Sequence, residues 1–516
     1  MTLRGNMKGV RGRAAIGWSC VGAAVAAAAV LMLPPTAAAA VVGLVAAVEL
    51  AAVAVLLAAV SRRARNLGVR RRLEAAVPAA IAPADTDPAE EERRQFHEKW
   101  TARLHHGFST SAIEPLLRSA RNPAHPPEYR LQVLQELDAW FQEDERARLA
   151  GVHRDVDVLI VSHLGLPGGN TSANVADIGA LTRAGLRVGL LHHPVYRWDV
   201  TAPVNPKIDA LVDGDAVVLV GAHDTVRCDL TVVRLPTIMG RLLDDLPAID
   251  TGRTVLLVNQ VPFTYYDADG GRREQWDPQA VHATLQGWLG DHTWYPIGPE
   301  VRATLERHHG DALDGIDIAD EYWYEIIEAA DWLRSGSRPG LREDAVRIGR
   351  HTRDAPLKWP QTPERLLACY PASPEFAVHL LGGAETPRGM LGSLPDNWVD
   401  HPFGSLPARD FLHGLDFLVY FIADDCVEAF GRSPLEAMAA GVPCIMDPRF
   451  EPLFGEAAVY CPPQEVASVI RKILDEPGAY EAQVARALRK IEADFSPAAL
   501  VGRVARLGVR SAATRA

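Results

Sequence analysis

VDVLIVSHLGLPGGN, residues 156–170, opens the first of two α/β patterns in this chain. Residues 156–162, apart from Asp157 and the closing Ser162, are an apolar run rich in β-branched side chains, the composition of a parallel strand buried on both faces. A glycine-bearing turn follows at 164–170, then a helical stretch, then a second strand at 186–191. This is a β-loop-α-β unit and marks the start of a Rossmann-like sheet. Further strand candidates at 216–220, 230–233 and 255–258 extend a first α/β domain over residues 151–334.

Toward the C-terminus, SGSRPG at 335–340 reads as a hinge. A second α/β pattern then places strands at 346–349, 376–381, 417–421 and 442–446, giving a second domain over 335–496. Residues 497–507 read as a final helix within a closing segment, 497–516. The expected fold class is therefore α/β, with two Rossmann-like domains facing a cleft.

Toward the N-terminus, residues 95–150 carry apolar side chains at helical spacing, as in PEYRLQVLQELDAWF, and form a helical lead-in expected to pack on the first domain. Residues 73–95 mix Ala, Pro and acids and read as a linker, so that 73–150 is linker plus lead-in. Before it lie two apolar runs, 14–33 and 37–60, separated by Pro34 and Pro35. At about 1.5 Å rise per residue each is long enough to cross a hydrocarbon core of about 30 Å. Arg4, Lys8, Arg11 and Arg13 precede the first run, and Arg62, Arg63, Arg65 and Arg70 to Arg72 follow the second. Positive charge at both outer ends predicts a transmembrane helical hairpin over 1–72 with both ends cytoplasmic. A secretory signal is the rival reading, favoured by the small residues at 36–40. Glu49, inside the second run, reads as a helix–helix or oligomer contact rather than a catalytic group.

The chain has 516 residues and a formal net charge of −12. Ten of its Lys and Arg, against one acid, fall within residues 1–72, so the remainder is strongly acidic. An acidic body excludes a general nucleic-acid binder, which needs clustered positive charge to neutralise phosphates. The six cysteines form no CxxC pair, so neither a disulfide framework nor a zinc site is indicated.

The chemistry concentrates in DDCVEAFGRSPLEAMAAGVPCIM, residues 424–446. After a strand comes a loop with Glu428, Phe430 and Gly431. A helix is then predicted with Ser433 as N-cap, Pro434 at its first position and Glu436 three residues after the cap, ended by Gly441 and Pro443. A helix start with free N–H groups is an anion site suited to a diphosphate. On local pattern alone, Glu436 equally completes a capping box.

The string E-A-F-G-R-S-P-L-E-A-M-A-A-G-V-P, from Glu428 to Pro443, resembles the Glu-x7-Glu signature of the large retaining GT-B glycosyltransferase family. The resemblance implies the GT-B fold, with Glu436 on the donor's ribose, Glu428 near the transferred sugar, and the amides around Gly431, Arg432, Ser433 and Pro434 facing the diphosphate. IGRHTRDAPLK, residues 348–358, is similar to the family's basic segment, which implies that Arg350 and Lys358 neutralise the leaving diphosphate. Trp359 stands where the family usually has glycine. Gly382 and Gly383 resemble a glycine turn close to the nucleotide. Gly168, Gly169 and Asn170 occupy the place of a first glycine-rich loop near the donor phosphates and acceptor.

His193, His223 and Asn259 follow predicted strands and are named for the acceptor side, although each histidine taken singly reads first as a surface or structural residue. Asp244-Asp245 and Asp424-Asp425 do not sit among other ligand types, so no metal is implied, and the nucleotide sugar is a substrate, so no cofactor is implied. The expected reaction is transfer of a sugar from a nucleoside-diphosphate sugar to a glycan or lipid-linked envelope acceptor at the cytoplasmic membrane face, with retention. Partners are the donor, the acceptor and the membrane; oligomeric state is left open. The alternatives are another GT-B enzyme, such as an epimerase, and a non-catalytic membrane-tethered sensor or scaffold.

Overall fold

The computed structural model describes residues 88–196, 201–266, 273–336 and 345–510. The apolar runs expected to form a hairpin, and residues 337–340 of the expected hinge, lie outside the described residues. Among the described residues no helix is long and apolar enough to cross a membrane.

Sixteen strands are described. Those of the first domain are β1 (His153–Asp155), β2 (Val158–Ser162), β3 (Val188–His192), β4 (Val217–Leu219), β5 (Thr225–Cys228), β6 (Leu230–Arg234), β7 (Ala248–Thr251), β8 (Thr254–Val258), β9 (His292–Pro296) and β10 (Asp317–Ile318). Those of the second are β11 (Val346–His351), β12 (Phe376–Leu381), β13 (Trp398–His401), β14 (Phe417–Tyr420), β15 (Cys444–Met446) and β16 (Val459–Tyr460).

The first domain holds a seven-stranded sheet in the order β10-β9-β8-β6-β2-β3-β4, and the second a six-stranded sheet in the order β13-β12-β11-β14-β15-β16. Every pairing is parallel, with Ile160 opposite both Leu190 and Val232, and Ile348 opposite both Val378 and Phe417. In each sheet the chain first winds outward in one direction and then returns to the middle and winds the other way. The reversal falls between β2 and β6 in one sheet and between β11 and β14 in the other. In such sheets the crevice outside the carboxyl ends, at the reversal, is where ligands bind. The winding thus names two crevices before any side chain is considered.

All five residues of β2 are buried. Each large aliphatic side chain so covered contributes about 1.5–3 kcal/mol, which is why this run holds the centre of its sheet. A small separate sheet, β1-β5-β7, lies beside the large one. The final helix, Pro497–Arg506, starts on Ser496, whose Oγ accepts from the Ala499 amide at 3.2 Å. Its Leu500 and Val504 pack with Ile178 and Leu181 of the first domain, so the chain's end returns to the first sheet.

The lead-in is three helices, Pro88–His105, Ser109–Arg121 and Pro127–Ala150. The first begins inside the segment expected to be linker, with Glu90 and Glu91 in its opening turn. Acids there complement the helix dipole, so residues 88–95 are helix rather than linker. Leu104, Leu116 and Val133 form a small core of their own. Ser109 Oγ donates to Asp245 Oδ1 at 2.5 Å, and the Ser111 amide and hydroxyl each donate to Asp244 Oδ2 at 2.9 Å, fastening the lead-in to the first domain.

Candidate functional site

β11 and β14 are the two strands at the second reversal, and both end in residues that matter. The loop after β11 reaches Lys358 at the end of a single 3-10 turn, Pro356–Lys358. The Ala423 amide donates to the Leu357 carbonyl at 3.2 Å and so ties that loop to the one following β14. Between them, Lys358 Nζ donates to Glu428 Oε2 at 2.5 Å, and the hydroxyl of Tyr420, the last residue of β14, donates to the same oxygen at 2.7 Å. The lysine and glutamate side chains remain 23% and 17% exposed, enough for a ligand to reach them. Burial by itself raises the pKa of Glu428, but the Lys358 ammonium and the two hydrogen bonds outweigh it and hold the carboxyl below its ordinary range. Burial likewise works against the charge on Lys358, and Glu428 overcomes it, so the ammonium is held more firmly than in water. Burial, with Glu428 alongside, keeps the Tyr420 phenol protonated.

The helix at the motif runs Arg432–Ala439, and its N-cap is Gly431 at φ +90°, with no capping side chain. The expected cap at Ser433 is therefore corrected. Ser433 lies within the first turn, and its hydroxyl donates to the His351 carbonyl at the end of β11, at 2.6 Å. Pro434 brings no N–H, which leaves Arg432 and Ser433 to supply amides at this helix start. Glu436 does not close a capping box. Its Oε1 accepts from Arg432 Nε at 3.1 Å, and its Oε2 lies 3.5 Å from His351 Nε2. Arg432 also reaches the first domain, donating to the Ile326 carbonyl at 3.0 Å and lying 3.5 Å from Glu325. Gly441, at φ +73°, ends the helix as expected.

Arg350 is turned inward, which corrects its expected place on the diphosphate. It is 1% exposed, and its guanidinium donates to the Phe421 carbonyl at 3.0 Å, the Tyr370 hydroxyl at 3.3 Å and the Lys358 carbonyl. It lies 4.2 Å from the ring centroid of Trp359. Trp359 in turn adopts ordinary extended backbone, and its indole N–H donates to Asp354 Oδ1 at 2.9 Å. A glycine is not needed at that position, and the indole serves as the plate on which Arg350 rests. Gly382 is different. At φ +118°, a Cβ there would sit 2.0 Å from the Thr352 carbonyl oxygen, so the chain passes the β11 loop only because no side chain is present. Gly383, at φ +105°, faces Asp354.

In the first domain, Gly168 (φ +88°) and Gly169 begin the helix Gly169–Arg183, and a Cβ on either would meet nothing within 4 Å. Asn170 Nδ2 donates to the His163 carbonyl at 3.1 Å, while its Oδ1 is buried and accepts no hydrogen bond. Asn259 Oδ1 is in the same state. His193 is fully buried, with Nε2 accepting from the Leu243 amide at 3.3 Å, and burial pushes its pKa down to about 3. It is a neutral core residue rather than one open to an acceptor. His223 Nε2 lies 2.7 Å from Asp144 Oδ1 on the third lead-in helix and serves as a fastening for that helix. The two acid pairs are also engaged, Asp244 and Asp245 with the lead-in serines, and Asp424 with Arg365 and Arg449.

No protein-family model matches this chain, and no curated protein matches it in sequence. Solved structures are similar to it in shape. A glycosyltransferase from Rickettsia africae ESF-5 aligns at 11% identity with a TM-score of 0.46, over 68% of this chain and 97% of its own. The trehalose-6-phosphate synthase OtsA aligns at 11% identity and 0.43, over 68% and 99%. WaaG, a glycosyltransferase involved in lipopolysaccharide biosynthesis, aligns at 13% and 0.39, over 68% and 99%. With all three scores below 0.5, the site itself has to carry the functional reading.

The bond of Tyr420 to Glu428, the support Trp359 gives Arg350, and the link of Arg432 to the first domain are not among the features expected from the sequence. Tyr420 left a readable signal, a phenol at the end of an otherwise wholly apolar strand. The other two depend on distant packing.

Proposed function

We propose that this chain is a retaining glycosyltransferase that takes a sugar from a nucleoside-diphosphate donor bound at the carboxyl ends of β11 and β14. The observation that carries the reading is the Lys358–Glu428 pair, held by Tyr420 beside an uncapped helix start at Gly431. A diphosphate needs fixed positive charge and free amides, and Lys358 with the Arg432 and Ser433 amides offers both. Once the diphosphate draws on Lys358, Glu428 is left to accept from sugar hydroxyls near the reacting carbon. Glu436 holds the ribose by exchanging its bond with Arg432. Arg350 is a positioning residue, binding the carbonyls of Lys358 and Phe421 and so fixing the two loops against each other.

Retention by front-side attack, with the leaving phosphate taking the acceptor's proton, asks for no protein base. A neutral, buried His193 suits such a scheme. The acceptor is read as an envelope or lipid-linked glycan and the setting as the cytoplasmic membrane face, on the strength of the basic-flanked apolar runs before residue 73. The test is a thermal-shift panel of UDP, GDP, ADP and dTDP sugars on the full chain, in which one nucleotide raises the melting temperature by mass action. E428Q should keep that shift and lose transfer. No shift with any nucleotide sugar, or full transfer by E428Q, would sink the reading, and release of an epimer without acceptor would replace it with the epimerase alternative.

A further inference from the structure

The first reversal, between β2 and β6, has its own furnished crevice. Beyond the carboxyl ends of β3 and β6, a cavity of about 300 Å³ is lined by Arg103, Arg241 and Arg273 together with Phe108, Tyr196 and Thr237. One carboxylate, Glu274, shares the lining. Among the described residues neither Arg103 nor Arg273 has a carboxylate within ion-pair reach. Arg241 is only partly satisfied. Its guanidinium lies 4.3 Å from the Phe108 ring centroid, donates to Ser111 Oγ at 3.0 Å, and is 3.8 Å from Asp244 Oδ1. Three guanidinium groups around one small space, in a chain of net charge −12, repel one another unless an anion joins them. Guanidinium forks match carboxylate and phosphate oxygens two at a time. The cavity is at the small end of ligand pockets, the size for one sugar-like unit, and Phe108 and Tyr196 offer aromatic faces for its C–H side.

Two features connect this cavity to the donor site. Its outer wall includes Arg273, Glu274 and Gln275, and the same loop touches the second domain, where the Tyr266 amide donates to the Asp425 carbonyl at 3.3 Å, three residues before Glu428. Arg103 and Phe108 come from the lead-in, which the bonds from Ser109 and Ser111 to Asp245 and Asp244 press against the first domain here.

We infer that the acceptor carries an anionic group, a phosphate or a carboxylate, and that Arg103, Arg241 and Arg273 bind it in this cavity. The inference rests on the glycosyltransferase reading and specifies the acceptor class for it. The lead-in then takes part in recognition, since it supplies one of the three cations and one of the two aromatic faces.

The test is calorimetric titration of the full chain with glucose 6-phosphate, glucuronate and glucose, repeated with R103Q, R273Q and the R241Q/R273Q double variant. One of the two anions should bind at least about 30-fold more tightly than glucose, and which of them does so tells phosphate from carboxylate. Each single substitution should weaken that binding about 10-fold, or about 1.4 kcal/mol. R273Q is the safeguard against misfolding, since Arg273 is exposed and bonds no part of the lead-in. In every variant the thermal shift from the nucleotide sugar should be unchanged. Anions that bind no better than glucose, or that bind R241Q/R273Q as tightly as the parent, would overturn the inference. If that happens while the nucleotide shift persists, only the acceptor class has failed. If the nucleotide shift is absent but arginine-dependent anion binding is present, the anion site stands and the glycosyltransferase reading has failed.

Discussion

The two large sheets wind in the same way, yet the crevices at their reversals are furnished by different means. In the second domain the backbone does most of the fixing. Gly382 passes the Thr352 carbonyl where no side chain fits, Gly431 turns left-handed to start the helix, and Ser433 locks that helix to the end of β11. The charged groups there are closely bonded, Lys358 to Glu428 and Glu436 to Arg432. In the first domain, Gly168 and Gly169 face open space, and two of the three arginines at its cavity have no carboxylate partner among the described residues. Under the proposed function, the crevice fixed by its main chain takes the nucleoside diphosphate, and the one shaped by side chains and by the lead-in takes the acceptor.

The contrast is sharpest at Glu428. E428Q keeps the shape of the side chain but removes its charge, and transfer should fall about a hundredfold to a thousandfold while the fold survives, as measured by initial rates alongside melting temperature. A smaller loss would mean the tightly bonded crevice is not where the chemistry occurs. Next come the glycines. G382A forces a Cβ into the Thr352 carbonyl as well as an unfavourable φ, and should cost at least about 3 kcal/mol in denaturant unfolding. G168A meets only the φ penalty, about 1–2 kcal/mol. Equal costs at the two sites would erase the distinction between a backbone-fixed and an open crevice.

His193 gives a pH test of the first domain's core. Its folded pKa of about 3 lies well under the ordinary histidine value, so between these limits the unfolded chain binds the extra proton. Its contribution is complete above about pH 6.5 and is lost as the pH falls, by up to about 1.4 kcal/mol per unit well inside that window. H193F should flatten this part of the stability profile measured from pH 7 to 5. The smallest effect is expected at His223. H223A removes the bond to Asp144 and should lower stability by about 1 kcal/mol with no change in transfer, whereas a lost rate would return His223 to the acceptor side.

Which features could be read from the sequence follows from the same physics. The central strands β2, β3, β6, β8, β12 and β14 are buried and apolar, and their runs are plain in the chain. The missed strands, such as β1, β7 and β16, are short and partly exposed, and β9, His-Thr-Trp-Tyr-Pro, lacks an aliphatic run. The strand, turn and helix around Glu428 and Glu436 were legible because a motif with glycines at fixed offsets describes backbone geometry. The inward turn of Arg350 was not, since it depends on Trp359, Tyr370 and Phe421 meeting around it. Nor was the true cap. Ser433-Pro434 followed by Glu436 is a good local start signal, but a tertiary bond to His351 takes the serine hydroxyl away. The basic cavity gathers residues from positions 103 to 275, too far apart to appear as a pattern.

The return of the last helix sets a timetable for biosynthesis. Leu500, Val504, Leu507 and Val509 complete the apolar layer on one face of the first sheet, whose last strand ends at Ile318. At about 5–20 residues per second, a ribosome needs roughly 10–40 s to travel from that strand to the helix. Throughout that interval the first domain has its strands and the helix Gly169–Arg183 but lacks the part of the cover that Leu500, Val504, Leu507 and Val509 supply. The nascent chain therefore presents an apolar patch that residues 500–509 later close, which makes this period the one when a chaperone would be most needed.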